Sequence, residues 1–135
     1  TPIFSEKLVV VSGLQQGNID HPRDLGSHPT LLGFSPKCAY RTRLADWVRG
    51  SDIVAKVIEI NSYHALLNCV TAGMGVGIIP EILLDFYPFK EGLKIHQLPK
   101  ELQLTSTCAI WRLDSVKPSL SAFSDLLVKA SNIEA

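Results

Sequence analysis

The sequence has few cysteines, no excess of either charge and no apolar run long enough to cross a bilayer. Its three cysteines, Cys38, Cys69 and Cys108, are widely spaced and contain no CxxC pair. This argues against a disulfide framework or a metal site and favours a reducing compartment, so we expect a cytoplasmic protein. The N-terminus lacks the order of charged and then apolar residues that marks a signal peptide, and no membrane partner is expected.

Basic and acidic residues balance, with thirteen Lys and Arg against thirteen Asp and Glu. A chain without net positive charge has no electrostatic footprint for phosphate backbones, so we do not expect it to bind nucleic acid directly. Hydrophobic residues make up 46% and charged residues 19% of the 135 residues. These proportions are typical of one ordered globular domain.

Short apolar runs alternate with helical patterns along the chain. Strands are predicted at 8–11, 30–34, 57–60, 76–79, 93–98 and 105–111, where runs rich in branched residues lie between turn residues. Helices are predicted at 40–49, 62–72 and 118–130, with a shorter one after Pro80 and a single turn at 22–25. This alternation predicts an α/β fold with a mostly parallel sheet covered by helices on both faces.

Polar residues follow the second and third predicted strands, where each strand leads into a helix. In such sheets ligands bind beyond the carboxyl ends of the strands, near helix N-termini. The turn at 35–41 combines hydroxyls, a lysine, a thiol and backbone N–H groups, which favours an anion such as a carboxylate. The turn at 61–64 is similar. Either turn could instead be a solvated loop in which Ser35 or Ser62 caps the next helix.

Gly73, Gly75 and Gly77 invite comparison with a nucleotide-binding fingerprint. That fingerprint follows a strand and opens a helix, so that the pyrophosphate meets the helix N-terminus. Here the glycines follow a helix and lead into a strand, at the negative end of the helix dipole. We therefore interpret them as a helix C-cap and the tight start of a strand, and expect no cofactor.

Cys38 and His64 form the arrangement that most suggests catalysis. A thiol near a helix N-terminus is activated as a nucleophile, and His64 begins a helix after the neighbouring strand. No orienting carboxylate or local signature accompanies the pair, so we expect no catalytic residues. His28 and His96 flank predicted strands and are interpreted as surface residues, and the histidines lack the spacing of metal ligands.

Four segments carry a family resemblance by their order and spacing. They are a strand at 6–11, a loop and helix from Cys38 to Trp47, a helix–glycine–strand–proline run at 66–81, and a strand and helix at 109–127. Together they resemble the effector-binding domain of LysR-type transcriptional regulators, over residues 4–129. Separately, the pattern of the first seven residues favours a segment cut from a longer protein, although a natural domain can also start with such a strand.

The resemblance implies a three-layer αβα sandwich like a type II periplasmic binding protein, whose two subdomains are joined by antiparallel hinge strands. Residues 1–112 would be the second regulatory subdomain. Residues 113–135 would hold the return segment and the closing helix of the first subdomain. The winged helix-turn-helix would be absent from this chain, and the parent protein would contact DNA through that missing domain. By the family's pattern, the parent protein would be a homo-oligomer, as a tetramer.

The resemblance further implies that the chain senses a small polar or anionic metabolite and does no catalysis. The residues expected to face this effector are Ser35, Lys37, Cys38, Ala39, Tyr40, Ser62 and Tyr63. Two alternatives remain open. One is a solute-binding protein of a transport system, which shares the architecture, and the other is an enzyme that uses the thiol of Cys38.

The last predicted helix carries an apolar stripe formed by Leu120, Phe123 and Leu127. Each such side chain forgoes roughly 1.5–3 kcal/mol of burial when nothing covers it. We therefore expect this chain by itself to dimerise, to exchange the helix, or to fold it onto another surface.

Overall fold

The computed structural model describes residues 1–112, 114 and 117–131. The strands are β1 (Pro2–Gly13), β2 (Thr30–Gly33), β3 (Lys56–Glu59), β4 (Val76–Pro80), β5 (Leu93–Gln97) and β6 (Leu104–Cys108). The α-helices are α1 (Ala39–Arg49), α2 (Tyr63–Thr71), α3 (Lys100–Gln103) and α4 (Pro118–Ser131). The 3-10 helices are Pro22–Leu25, Glu81–Phe86 and Lys90–Gly92.

The chain divides into two compact units, Lys7–Gln103 and a smaller one of Thr1–Glu6 with Leu104–Ala135. In the larger unit the strands lie in the order β3-β2-β4-β1-β5. β2 runs parallel to β3 and to β4, whereas β1 runs antiparallel to β4 and to β5. Two of these four strand pairs are therefore parallel and two are antiparallel, because β1 is antiparallel to both of its neighbours.

Two hydrophobic clusters cover the two faces of this sheet. Alternation along β1 sends Val9 and Val11 into one cluster and Leu8 and Val10 into the other. The first cluster includes Leu66, Leu67 and Val70 of α2. The second includes Leu44 and Val48 of α1. The expected three-layer αβα arrangement is confirmed, and the fully buried β1 explains why its sequence is a continuous apolar run.

The ends of α2 form as the sequence predicts. The Ser62 side chain accepts a hydrogen bond from the N–H of Ala65 at the N-terminus. After the helix, Gly73 adopts φ +80°, the left-handed conformation that favours glycine. A Cβ on Gly75 would lie 2.4 Å from the carbonyl oxygen of Thr30. The glycine run therefore ends a helix and lets β4 approach β2, as expected.

Several predicted elements differ in the structure. β1 begins six residues before the predicted strand, and the strand predicted at 105–111 ends at Cys108. The segment after Pro80 is a 3-10 helix rather than an α-helix, and α3 was not predicted. These differences concern short or strand-terminal segments, in which few residues carry a periodic pattern.

The prediction that His96 lies on the surface is wrong, because its side chain is buried with 7% of its area exposed. On the same strand Ile95 is 46% exposed. The pattern of β5 alone favours the opposite arrangement. His96 is covered by a segment distant in sequence, since its Nδ1 accepts a hydrogen bond from the N–H of Ile19.

In the smaller unit β6 pairs with β1, and the backbones of Thr1 and Ala109 exchange two hydrogen bonds of 2.8 and 2.9 Å. α4 contains no buried residue. Its Phe123 and Leu126 are well exposed. The predicted return segment and closing helix at 113–135 lie partly outside the described residues, which include α4 and Asp114.

Candidate functional site

The turn after β2 leads into an α-helix whose N-terminus has no side-chain cap. The N–H of Cys38 donates to the carbonyl oxygen of Ser35 over 2.9 Å, which closes the turn. Cys38 is the N-cap residue of α1, but its side chain makes no capping hydrogen bond. Ser35 is not the N-cap residue. Cys38 therefore offers no side-chain acceptor to the first N–H groups of α1.

The turn after β3 lies beside the first one because the two strands are parallel neighbours. Gly33 pairs with Glu59, and the N–H of Ile60 donates to the carbonyl oxygen of Gly33 over 2.8 Å. Ser62 then caps α2 with a long hydrogen bond of 3.5 Å. The N-termini of both helices thus follow adjacent strand ends, as expected for this fold.

Four side chains join these two turns. The rings of Phe34 and Tyr63 meet edge to face, with centroids 4.6 Å apart. Arg41 donates from Nη1 to the carbonyl oxygen of Phe34 over 2.8 Å, and the same nitrogen lies 3.6 Å from the Glu59 carboxylate. Arg41 packs so closely on Gly33 that a Cβ there would lie 3.2 Å from its side chain. We call this arrangement the polar corner.

Phe34, Arg41 and Glu59 were missed in the sequence analysis. Phe34 reads as the last apolar residue of a strand, and Arg41 as part of the polar face of a helix. The available signal was the pairing of opposite charges, because Glu59 ends one strand and Arg41 begins the helix that follows its neighbour. That signal needs the order of strands in the sheet, which the sequence does not provide.

The seven expected effector-facing residues differ in their exposure and in the face of the sheet against which they pack. Lys37, Ala39 and Ser62 are exposed, whereas Ser35 and Cys38 are half-buried. Tyr63 packs against the cluster beneath α2. Tyr40 packs against the cluster beneath α1, on the other face of the sheet. The two tyrosines therefore belong to different layers, which the sequence reasoning did not foresee.

Two open grooves lie on the larger unit outside the polar corner. The first, of about 540 Å³, follows one side of α1 and is lined by Ala39, Thr42, Arg43, Asp46, Trp47 and Leu102. The second, of about 460 Å³, lies beyond the end of α2 and is lined by Asn68, Thr71, Ala72, Tyr87, Phe89, Glu91 and Gly92. Ala39 is the one expected site residue among these linings.

Two pairs of described residues could suggest catalysis, and neither has both the geometry and the protonation state of a nucleophile with its base. His64 is exposed and Cys38 half-buried, and no hydrogen bond joins their side chains. Ser12 and His96 are paired at 2.7 Å, as a nucleophile and its base would be. Because Nδ1 of His96 accepts from Ile19, Nε2 carries the proton and cannot act as a base toward Ser12.

Within the described part of the chain, no three His, Cys, Asp or Glu side chains are grouped closely enough to hold a metal ion. None of the helices described is both long and apolar enough to span a membrane. The polar corner thus combines two aromatic rings with the Arg41–Glu59 ion pair. It lies beside the turns that contain Lys37 and Ser62.

The fold is that of an α/β domain of the kind that binds small ligands beyond the carboxyl ends of its strands. The sequence profile of the LysR substrate binding domain matches residues 1–132. The chain is 31% identical over 114 residues to the HTH-type transcriptional regulator SoxR of an Arthrobacter species, covering 84% of this chain and 38% of that protein. It is 28% identical over 136 residues to the regulator YusT of Bacillus subtilis, covering 99% and 45%.

Solved structures show the same fold at low identity. The reduced regulatory domain of OxyR2 from Vibrio vulnificus is 17% identical with a TM-score of 0.77, covering 98% of this chain and 63% of that one. The effector binding domain of QuiR, solved with shikimate, is also 17% identical with a TM-score of 0.69, covering 97% and 64%.

The chain belongs to the LysR substrate-binding domain family, and it is an effector-sensing regulatory domain. The LysR resemblance found in the sequence is thereby confirmed, and a transport protein is not favoured. The chain spans 38% and 45% of the lengths of the two curated regulators compared above.

Proposed function

We propose that the polar corner binds a small polar or anionic metabolite and that this binding alters DNA binding by the parent regulator. The observation that carries the proposal is the contact between Phe34 and Tyr63, with ring centroids 4.6 Å apart. It brings the start of α2 against the turn that leads into α1. The N-terminus of a helix carries a partial positive charge and favours anions.

The residues of the corner supply the remaining interactions. Lys37 is an exposed cation in the turn before α1, and the N-cap residue Cys38 makes no capping hydrogen bond. We assign effector contacts to Ser35, Lys37, Cys38, Ala39, Tyr40, Ser62 and Tyr63. Among these, Tyr40 is the least favourably placed, because its ring packs against the core beneath α1.

The class of effector is supported by a structural relative. QuiR, which shares this fold, was solved in complex with shikimate, a small carboxylate rich in hydroxyl groups. A carboxylate suits uncapped helix N–H groups and a lysine. We infer that this chain senses a metabolite of similar size and charge, without a cofactor.

We further propose how the chain fits into its parent protein. The larger unit, Lys7–Gln103, would lie within a second regulatory subdomain at 1–112. The segment at 113–135 would return to the first subdomain. DNA would be contacted through a winged helix-turn-helix outside this chain, in a cytoplasmic homo-oligomer, as a tetramer. A ligand shifts such a protein only if it binds two subdomain arrangements unequally.

We propose that the domain has no catalytic activity. The protonated Nε2 of His96 argues against a Ser12–His96 dyad. Alkylation kinetics test the thiol alternative, because a catalytic thiolate reacts fast near neutral pH. Reaction of Cys38 no faster than that of exposed Cys108 is the expected result, and a much faster reaction would support an enzyme.

Lys37→Ala in the full-length regulator tests the site. We expect the inducer concentration for half-maximal transcription to rise on the order of tenfold, which corresponds to ~1.4 kcal/mol, with operator binding unchanged. The matched control is Lys56→Ala, which removes the same charge from the opposite end of β3 and should respond as the parent does. Unchanged induction in Lys37→Ala would contradict the proposed site.

A further inference from the structure

His96 links the sheet to the long segment between β1 and β2. Its Nε2 lies 2.7 Å from Oγ of Ser12 on β1. Its Nδ1 accepts a hydrogen bond of 3.1 Å from the backbone N–H of Ile19. All three residues are buried, with 7% of His96, 0% of Ser12 and 1% of Ile19 exposed. Both ring nitrogens are therefore engaged inside the protein.

These partners determine the protonation state of the ring. A backbone N–H can only donate, so Nδ1 must carry a lone pair and the proton must be on Nε2. Nε2 then donates to Ser12, whose own hydroxyl donates to the carbonyl oxygen of Gly13 over 3.2 Å. A second proton on Nδ1 would place two donors, the ring and the N–H of Ile19, against each other.

The hydrogen bond between His96 and Ile19 is one of several contacts that attach residues 14–29 to the sheet. The Ile19 side chain is part of the core cluster beneath α1, together with Leu8 and Val10 of β1. A second tie lies nearby, because Lys94 of β5 donates to the carbonyl oxygen of Gln16 over 2.6 Å. The part of residues 14–29 around Ile19 is thus attached to the sheet by two side chains of β5 and by one buried isoleucine. The rest of the segment is held separately, because Leu25 packs against the same cluster and the N–H of Lys56 donates to the carbonyl oxygen of Pro29.

We propose that His96 is an acid-sensitive clasp for residues 14–29. When Nδ1 takes a proton from solvent, the hydrogen bond from Ile19 is lost and the segment separates from the sheet while the strands remain paired. The segment follows the carboxyl end of β1, which lies beside the start of β4. It is therefore at the end of the sheet opposite the polar corner, away from the proposed effector site.

The charges around His96 favour its neutral form. Burial of the ring lowers the pKa of His96, and the nearby Lys94 ammonium lowers this pKa further, whereas the Asp20 carboxylate opposes them. The folded protein therefore binds this proton less readily than the unfolded chain does. Stability from the clasp is complete above pH about 6.5 and falls as the pH drops below that value toward the lowered pKa of the folded state.

Hydrogen exchange of the Ile19 amide measures the clasp directly. After correction for the intrinsic exchange rate, we expect its protection to fall roughly tenfold per pH unit below pH about 6.5, because the open state takes up one proton. Amides in β4, such as that of Ile79, should keep their protection over the same range. Equal loss in β4 would mean global unfolding and would contradict a local clasp.

Two variants separate His96 from the rest of the segment. His96→Asn offers a side-chain oxygen near the position of Nδ1 and cannot titrate, so protection of Ile19 should become independent of pH. The control is His21→Asn, which retains an N-cap acceptor for the N–H of Arg23 and removes one of the two histidines in residues 14–29. It should keep the pH dependence of the unaltered chain.

The protonation state of the ring gives a readout that does not depend on any variant folding. In the unaltered chain labelled with ¹⁵N-histidine, we expect His96 to be the Nε2–H form at pH 7.5. Finding the proton on Nδ1 would overturn the proposal. So would undiminished protection of Ile19 at a pH where the ¹⁵N signals show a doubly protonated ring.

Discussion

Gly75 is the glycine whose backbone approaches another backbone segment most closely. A Cβ there would lie 2.4 Å from the carbonyl oxygen of Thr30, and a backbone atom cannot move aside as a flexible side chain can. We expect Gly75→Ala to lower the free energy of unfolding by about 1–3 kcal/mol. Urea unfolding measures the change. Gly17→Ala, where no atom lies within 4 Å of the added Cβ, should be nearly neutral.

Phe34 and Tyr63 carry the contact that joins the two turns. A double-mutant cycle with Phe34→Ala and Tyr63→Ala should give a coupling energy of about 0.5–1.5 kcal/mol, as expected for a T-shaped pair of rings. Thermal or urea unfolding of the four proteins provides the measurement. Additive losses would show that the two rings do not interact and that the turns are not joined through them.

His96 shows why single residues resist prediction. The alternation of β5 gives no reason to bury a histidine and expose Ile95. The histidine is buried because Ile19, 77 positions away in sequence, supplies the hydrogen bond that compensates for its polar ring. Such a partner is invisible in a local pattern. The seven expected effector-facing residues remain a prediction for a similar reason, since their directions depend on strand order.

At the scale of elements, the N-cap residue of α1 makes no side-chain capping hydrogen bond, whereas that of α2 does. Cys38→Asp would give the first N–H groups of α1 a carboxylate acceptor and should raise the free energy of unfolding by about 1 kcal/mol. The same carboxylate would occupy the proposed anion site, so effector response of the parent regulator should fall. Denaturation and a transcription assay measure the two effects. A stabilised variant with normal induction would contradict anion binding at this helix.

The contrast with α2 provides the control for this interpretation. Ser62→Ala removes a cap whose hydrogen bond is already long, at 3.5 Å, so the expected loss is near the low end of the usual range, about 0.5 kcal/mol. Circular dichroism during urea unfolding would detect it. A loss of 2 kcal/mol or more would indicate that Ser62 makes a stronger interaction than the capping bond.

The helices and strands were predicted from the sequence more successfully than the environments of single residues. α2 was foreseen because Ser62, the apolar spacing of Leu66, Leu67 and Val70, and Gly73 all favour the same helix. β1 was placed but shortened, because its first residues do not form an apolar run. The direction of β1 could not be predicted, since an apolar run buried on both faces is compatible with parallel and antiparallel pairing.

At the scale of the whole molecule, α4 presents apolar side chains to solvent in the described structure. Phe123 is 57% exposed and Leu126 is 64% exposed. We expect the isolated 135-residue chain to self-associate, since exposed apolar faces of this kind mark interaction sites. Sedimentation velocity should show dimers or larger species that shift toward monomer in a Phe123→Ser, Leu126→Ser variant. A monodisperse monomer of the unaltered chain would contradict this expectation.

For the whole molecule, we propose that the polar corner holds an anion at the N-terminus of α1. The most direct measurement is a ¹H–¹⁵N titration of this chain with sodium sulfate, compared with sodium chloride at equal ionic strength. We expect saturable shifts of the amides at 37–41 and 62–64, with binding weakened roughly fivefold by Lys37→Ala, which corresponds to about 1 kcal/mol. Sulfate shifts no different from those of chloride, or shifts centred on the groove beyond α2, would contradict it.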